Sequence, residues 1–200
     1  MKIAGLILVG GSGTRMGAEK PLVQFGAHTL LDAVMARTGP QVNRLALSLR
    51  AEMIGPYRIR YPSLPLLPDM PGRGAGPLAG LLAGLEWINK ERHYDWLATF
   101  PCDTPFLPRD LVAKLGCATA LGKPVVARAD GRVQNLCALW PASSLAAARS
   151  AIGGGVWRSM HQALDALGAI HQPFEDGRAF FNVNTPQDLA EAERRAKGDE

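Results

Sequence analysis

Between Leu8 and Lys20 the chain reads Leu-Val-Gly-Gly-Ser-Gly-Thr-Arg-Met-Gly-Ala-Glu-Lys, a composition suited to gripping a polyphosphate. Gly10, Gly11 and Gly13 carry no side chains, so consecutive backbone N–H groups can approach phosphate oxygens, and a following helix N-terminus can add its dipole. Arg15 and Lys20 supply cations that would neutralise a triphosphate. The segment lacks the Gly-Lys-Ser/Thr ending of a Walker loop and the spacing of a dinucleotide fingerprint. Taken alone, these residues could also make a plain glycine turn after a first strand.

Asp103, in Pro101-Cys102-Asp103-Thr104-Pro105, is the second candidate. A carboxylate just past a strand can hold a divalent cation that bridges two phosphates, and magnesium favours oxygen ligands. In isolation the same residue would cap the turn before Pro105. Asp69, Asn182 and Asn184 each follow a short apolar segment and could converge on one edge with Asp103, or could serve local hydrogen bonds. The histidines at 28, 93, 161 and 171 show no metal-ligand spacing. Cys102 has the charge of Asp103 beside it, which disfavours a thiolate, so covalent catalysis by cysteine is not expected.

The elements that must position these residues follow from apolar patterning. The run 3–9 reads as a buried strand ending in the glycine loop. Leu30, Leu31, Val34 and Thr38 keep helical spacing, and 45–49 reads as a second strand. A short strand is expected at 64–67, then a glycine-bearing loop and a helix from Pro77, with proline in the first turn. In that helix Leu78, Leu81, Leu82, Leu85 and Ile88 share one face, while Gly76, Gly80 and Gly84 recur on another and permit close backbone approach. The run 96–100 is a strand that places Asp103 past its carboxyl end, where ligands of open α/β sheets bind. Segments 125–127 and 136–139 flank Asp130-Gly131, a turn pair that predicts an antiparallel interruption. Helical spacing returns at Val156, Met160, Ala163, Leu164 and Leu167, and Thr185, Pro186 and Asp188 form a capping box for a last helix. The expected fold is α/β with a mostly parallel, mixed sheet.

Composition narrows the function classes. Two hundred residues, 47% hydrophobic and 20% charged, suit one domain over 1–200. The net charge of +4 is dispersed apart from Arg194, Arg195 and Lys197. With neither a basic stripe nor an aromatic platform, nucleic acid is not an expected partner. No apolar stretch approaches the ~20 residues of a membrane span, and the 3–9 run is too short for a signal-peptide core. Cys102, Cys117 and Cys137 form no C-x-x-C pair, so reduced thiols in a cytosol are expected.

The stretch Leu-Val-Gly-Gly-Ser-Gly-Thr-Arg-Met-Gly-Ala-Glu-Lys-Pro-Leu resembles the signature loop of nucleotidyltransferases that couple a nucleoside triphosphate to a phosphorylated acceptor. Segments 76–85 (GPLAGLLAGL), 101–108 (PCDTPFLP) and 182–189 (NVNTPQDL) resemble, more specifically, molybdenum cofactor guanylyltransferases. The resemblance implies a three-layer Rossmann-like sandwich, GTP and Mg2+ as requirements, molybdopterin or Mo-molybdopterin as acceptor, and a guanine dinucleotide cofactor as product. It also implies transient contact with molybdenum-insertion proteins and molybdoenzyme chaperones, in the cytoplasm. Carried over by position, Arg15, Lys20 and Asp103 would be catalytic, with Asp103 on the metal. Leu8, Val9, Gly10, Gly11, Gly13, Lys20, Ser48, Asp69 and Asp103 would bind the nucleotide. Gly76, Pro77, Leu78, Asn182 and Asn184 would face the acceptor, the two asparagines alternatively the metal.

Three positions differ from the family's usual pattern. Gly17-Ala18-Glu19-Lys20 replaces a Gly-Gly-x-Asp-Lys ending, Ser48 replaces a nucleotide-binding asparagine, and Asn135 replaces the proline usual after Gln134. A cytidylyltransferase for the same pterin, a transferase acting on a sugar or alditol phosphate, and a non-catalytic pterin or nucleotide carrier are the competing readings.

Overall fold

The computed structural model describes residues 1–9, 20–69 and 76–198. Strand β1 (Ile3–Leu8) is buried throughout, and its side chains alternate between two apolar layers: Ile3 and Ile7 enter one, Ala4, Leu6 and Leu8 the other. Burial on both faces is what a central parallel strand requires. It lies between β4 (Arg44–Arg50) and β6 (Trp96–Pro101), parallel to both. Strand β5 (Leu66–Asp69) pairs parallel with β4.

Beyond β6 the direction reverses. Strand β8 (Arg132–Pro141) is antiparallel to β6 and to β7 (Val125–Ala129), while β9 (Ile170–Phe174) is parallel to β7. The order is β5-β4-β1-β6-β8-β7-β9, the mixed sheet expected. Asp130 and Gly131 both have positive φ, 48° and 73°, the backbone of a tight two-residue hairpin turn.

Helices cover both faces. α1 (Leu30–Thr38), α2 (Ile54–Arg60) and α4 (Leu111–Gly116) supply Leu31, Val34, Tyr57, Leu111 and Leu115 to the layer containing Ile7. α3 (Pro77–Glu91), α5 (Leu145–Gly153) and α6 (Met160–Ala166) fill the opposite layer. The leucine and glycine faces of α3 are both buried, and it is the glycine side that rests on the sheet. A β-carbon at Gly84 would meet Leu6 and Leu97 at 2.6 and 2.8 Å.

Several boundaries differ from expectation, among them the hairpin strands, which run longer than 125–127 and 136–139. The strand expected at 64–67 is Leu66–Asp69, because Asp69 pairs with Arg50 and so belongs to the strand rather than the following loop. Helix α6 starts at Met160, where the Ser159 side chain accepts from the Gln162 amide, and Val156 lies before it, exposed. The last helix, α7 (Pro186–Gly198), joins a small separate cluster formed by Leu30, Val183 and Ala192 with Phe25, Phe106, Phe181 and Leu189 packed around them. Among the described residues no helix is long and apolar enough to cross a membrane.

Candidate active site

Because β1, β4, β5 and β6 are parallel, their carboxyl ends emerge along one edge. Strand order then fixes the lateral order of the polar candidates: Asp69 on β5, Ser48 on β4, and Asp103 after β6, with Leu8 of β1 between the last two. Lys20 enters from a 3-10 turn (Lys20–Leu22) that precedes the small hairpin of β2 (Gln24–Phe25) and β3 (His28–Thr29). Its Nζ donates to Asp103 Oδ2 at 2.6 Å and to Asn184 Oδ1 at 2.8 Å. The Lys20 and Asp103 side chains are only 12% and 21% exposed, so this is a sheltered pair rather than a solvated surface contact.

An apolar floor holds these three segments together. Phe25 follows Lys20, Phe106 follows Asp103, and Phe181 and Val183 flank Asn182; all belong to the cluster around Leu30, and the Phe25 and Phe106 rings meet edge to face at 6.3 Å. Val183 is the buried anchor of Asn-Val-Asn, and its amide donates to the Asp103 carbonyl at 2.8 Å. The asparagines on either side are exposed. The Thr104 hydroxyl, itself buried, donates to Asn182 Oδ1 at 2.6 Å and lies 3.4 Å from Asp103 Oδ1. A hydroxyl has one proton, so the shorter contact takes it. The amides of Asn184 and Thr185 both donate to Asp188, whose own amide donates to Thr185 Oγ1, which is the expected capping box. The Asn184 amide above all, with Thr185 and the Lys20 charge, holds the Asp188 carboxyl below the usual carboxylate range.

On the β4–β5 side, Ser48 Oγ donates to Asp69 Oδ1 at 2.7 Å. Burial pushes the Asp69 carboxyl above its usual range, and the Ser48 hydroxyl works against that rise. Gly80 of α3 backs this pair: a β-carbon there would lie 2.6 Å from Ser48 Oγ. The Leu8 and Val9 side chains are buried in the core, and the Val9 amide is committed to the Ser48 carbonyl at 2.7 Å. Gly76 caps the N-terminus of α3 ahead of Pro77, and Leu78 is buried, which leaves its backbone rather than its side chain to meet a ligand. Gly10, Gly11, Gly13 and Arg15 lie outside the described residues.

The donor set around Lys20 suits a hard cation. One carboxylate oxygen and one carboxamide oxygen already enclose an ammonium, and magnesium binds through few protein oxygens while phosphate and water complete its shell. Among the described residues no group of three or more His, Cys, Asp or Glu could hold a metal, so a zinc-type cage is not the arrangement found. Burial, then the Asp103 charge, pushes the Cys102 thiol up to about 12, and Cys137 is likewise raised; neither supplies a thiolate nucleophile. Asn135 lies in an irregular stretch of β8, where Val133 and Ala138 pair with Arg128 and Val126 of β7. Its Oδ1 is buried with no hydrogen-bond partner among the described residues.

Sequence reasoning found Lys20, Asp103, Asn182, Asn184, Ser48 and Asp69, and the structure joins the first three segments on one side and the last two residues on the other. It passed over Thr104 and gave Asp188 only a capping role. Thr104 stands in the segment already singled out, but its partner is 78 residues away and no local pattern shows it.

A family model described as MobA-like NTP transferase domain matches residues 5–167. The molybdenum cofactor guanylyltransferase of Cereibacter sphaeroides is 40% identical over 200 residues, covering all of both chains. That of Rhodobacter capsulatus is 40% identical over 202 residues and 98% of each chain. Among solved structures, molybdopterin-guanine dinucleotide biosynthesis protein A from Archaeoglobus fulgidus superposes with a TM-score of 0.79 at 26% identity, over 99% of this chain and all of that one. The 2-C-methyl-D-erythritol 4-phosphate cytidylyltransferase of Thermus thermophilus shares the fold, with a TM-score of 0.72 at 21% identity over 98% of this chain and all of that one.

Proposed function

The chain belongs to the MobA-like NTP transferase family, and from that premise we propose how the edge around Asp103 works in a molybdenum cofactor guanylyltransferase. The enzyme transfers GMP from GTP to the phosphate of molybdopterin, as Mo-molybdopterin, giving the guanine dinucleotide and pyrophosphate. The observation that carries this reading is the meeting of Lys20 and Asp103, 83 residues apart, at 2.6 Å beside the end of β6.

An oxygen of the acceptor phosphate attacks the α-phosphorus in line. As that bond forms, the bond to the bridging oxygen of the leaving pyrophosphate breaks, and the electron pair departs with it. The attacking phosphate is already ionised at neutral pH, so the protein needs no general base, and its work is positioning and electrostatics. Lys20, Arg15 and the amides of Gly10, Gly11 and Gly13 hold the triphosphate. Asp103 would hold a divalent cation, which we assign as Mg2+ and which would draw charge from the phosphates. Leu8, Val9, Ser48 and Asp69 serve the nucleoside. Asn182, oriented by Thr104, and the backbone of Gly76, Pro77 and Leu78 face the acceptor.

One domain spanning 1–200 carries the activity. Three free thiols among the described residues suit a reducing cytoplasm, where molybdenum-insertion proteins would supply the acceptor and molybdoenzyme chaperones would receive the product. The test is incubation of the protein with Mo-molybdopterin, magnesium and each of the four ribonucleoside triphosphates in turn. Pyrophosphate and dinucleotide are expected with GTP; a preference for CTP, or ligand binding without pyrophosphate from any triphosphate, would overturn the assignment.

A further inference from the structure

The Lys20 ammonium sits between two oxygens carried by different segments, Asp103 Oδ2 at 2.6 Å and Asn184 Oδ1 at 2.8 Å. An ammonium only donates, so the atom Asn184 turns towards it is the carboxamide oxygen, the atom a hard cation would take. The backbone segments that carry these two oxygens are fixed independently of Lys20. Asn184 is held through its backbone by Asp188 at 2.9 Å, and Asp103 through its carbonyl by the Val183 amide at 2.8 Å. Lys20, by contrast, reaches them on a four-carbon stem that can swing.

Resting on the transferase reading, with Asp103 and Asn184 as the oxygens that would hold its cation, we propose that the Lys20 ammonium is the place-holder of that seat and that metal enters only with a triphosphate. A divalent cation and an ammonium repel each other and cannot share the same two oxygens. A triphosphate offers Lys20 replacement acceptors; as the ammonium moves to them it vacates the seat, and the phosphates bring further oxygens to the metal. Metal and nucleotide therefore bind cooperatively, and each strengthens the other by the same factor. Bare metal is kept out of the site.

The test titrates the full chain with Mn2+ and reads free metal by electron paramagnetic resonance, with and without a non-hydrolysable α,β-methylene GTP. Wild type is expected to bind Mn2+ alone at least about tenfold more weakly than with the analogue. Lys20→Met, or Lys20→Gln should the methionine variant fold poorly, is expected to bind Mn2+ alone at least about tenfold more tightly than wild type, because the competing cation is gone. Adding Asn184→Leu to that variant should abolish the gain. Unchanged Mn2+ affinity on loss of Lys20, or a gain that survives loss of Asn184, would overturn the proposal. Either result would leave GTP-dependent pyrophosphate release by wild type intact, whereas failure of the transferase reading would show as no such release at all.

Discussion

Gly80 and Ser48 are in contact limited by backbone: a β-carbon on Gly80 would lie 2.6 Å from Ser48 Oγ, 3.2 Å from Ser48 Cβ and 2.6 Å from Leu8 Cδ2. The same hydroxyl donates to Asp69, so the absence of one side chain on α3 sets the position of a polar pair on the neighbouring strands.

Gly80→Ala brings two opposed effects. Alanine gains about 1 kcal/mol over glycine in a helix interior, while overpacking a filled core costs about 1–3 kcal/mol. Both neighbours are buried and the overlaps fall below 3 Å, so overpacking wins. The expected outcome is a Tm lowered by about 2–4 °C, with KM for GTP raised as Ser48 and Asp69 are displaced. A Tm at or above wild type would show that α3 can lift away from the sheet.

Asp103→Asn removes the charge that balances Lys20 and would hold the cation. Turnover should fall by about 10²–10³, measured as pyrophosphate release at saturating GTP and magnesium, while the thermal transition stays close to that of wild type. Turnover within a few fold of wild type would remove Asp103 from the site.

Thr104 acts through Asn182. Thr104→Val keeps the shape and deletes the hydroxyl, so the carboxamide loses the bond at 2.6 Å that fixes its orientation. The loss of this part-buried hydrogen bond, about 1–2 kcal/mol, should raise KM for the molybdopterin acceptor by about 5–30-fold and leave KM for GTP unchanged. Thr104→Ser should restore it. A rise in both constants would point to general disruption instead.

Asp32 at the start of α1 controls acid stability. Burial alone would raise its carboxyl, but the Thr29 amide, the Arg60 guanidinium and the hydroxyls of Thr29 and Tyr61 outweigh that and bring it from 3.8 to about 2. The folded value is below the unfolded one, so the stabilisation is present above about pH 4 and is lost as pH falls towards 2. With the side chain 24% exposed, it contributes about 1–2 kcal/mol. Urea unfolding at pH 5 and pH 2.5 should show a smaller acid loss in Asp32→Asn than in wild type.

The parts of the fold legible in the sequence were those with strong local patterns. β1, β4 and β6 are apolar runs, α3 has both its leucine and glycine periodicities, the β7–β8 hairpin has Asp130-Gly131, and α7 has its capping box. Helix α2 went unseen because Gly55 and Pro56 break its pattern, and β9 because Pro173 interrupts a half-exposed strand whose one strand partner is β7 among the described residues. Helix α5 buries alanine as much as leucine, and so gives a weak periodic signal. At the site, residue types pointed to phosphate and metal chemistry, but which atoms meet is long-range information. The bonds from Lys20 to Asn184, from Thr104 to Asn182 and from Ser48 to Asp69 depend on the strand order and on the small aromatic floor, and neither has a local signature.

The lateral order of the carboxyl edge makes the sheet a ruler. Adjacent strands are about 4.8 Å apart, so Ser48 and Asp69 stand two and three strands from the strand that leads to Asp103, roughly 10–14 Å along the row. In the proposed arrangement, nucleoside binding and transfer of the nucleotidyl group would thus fall to residues that never touch. If so, exchanging positions 48 and 69 for other polar pairs would alter which nucleoside is accepted while the reaction centre stays as it is, a separability by which one scaffold could diversify its substrates without rebuilding its chemistry.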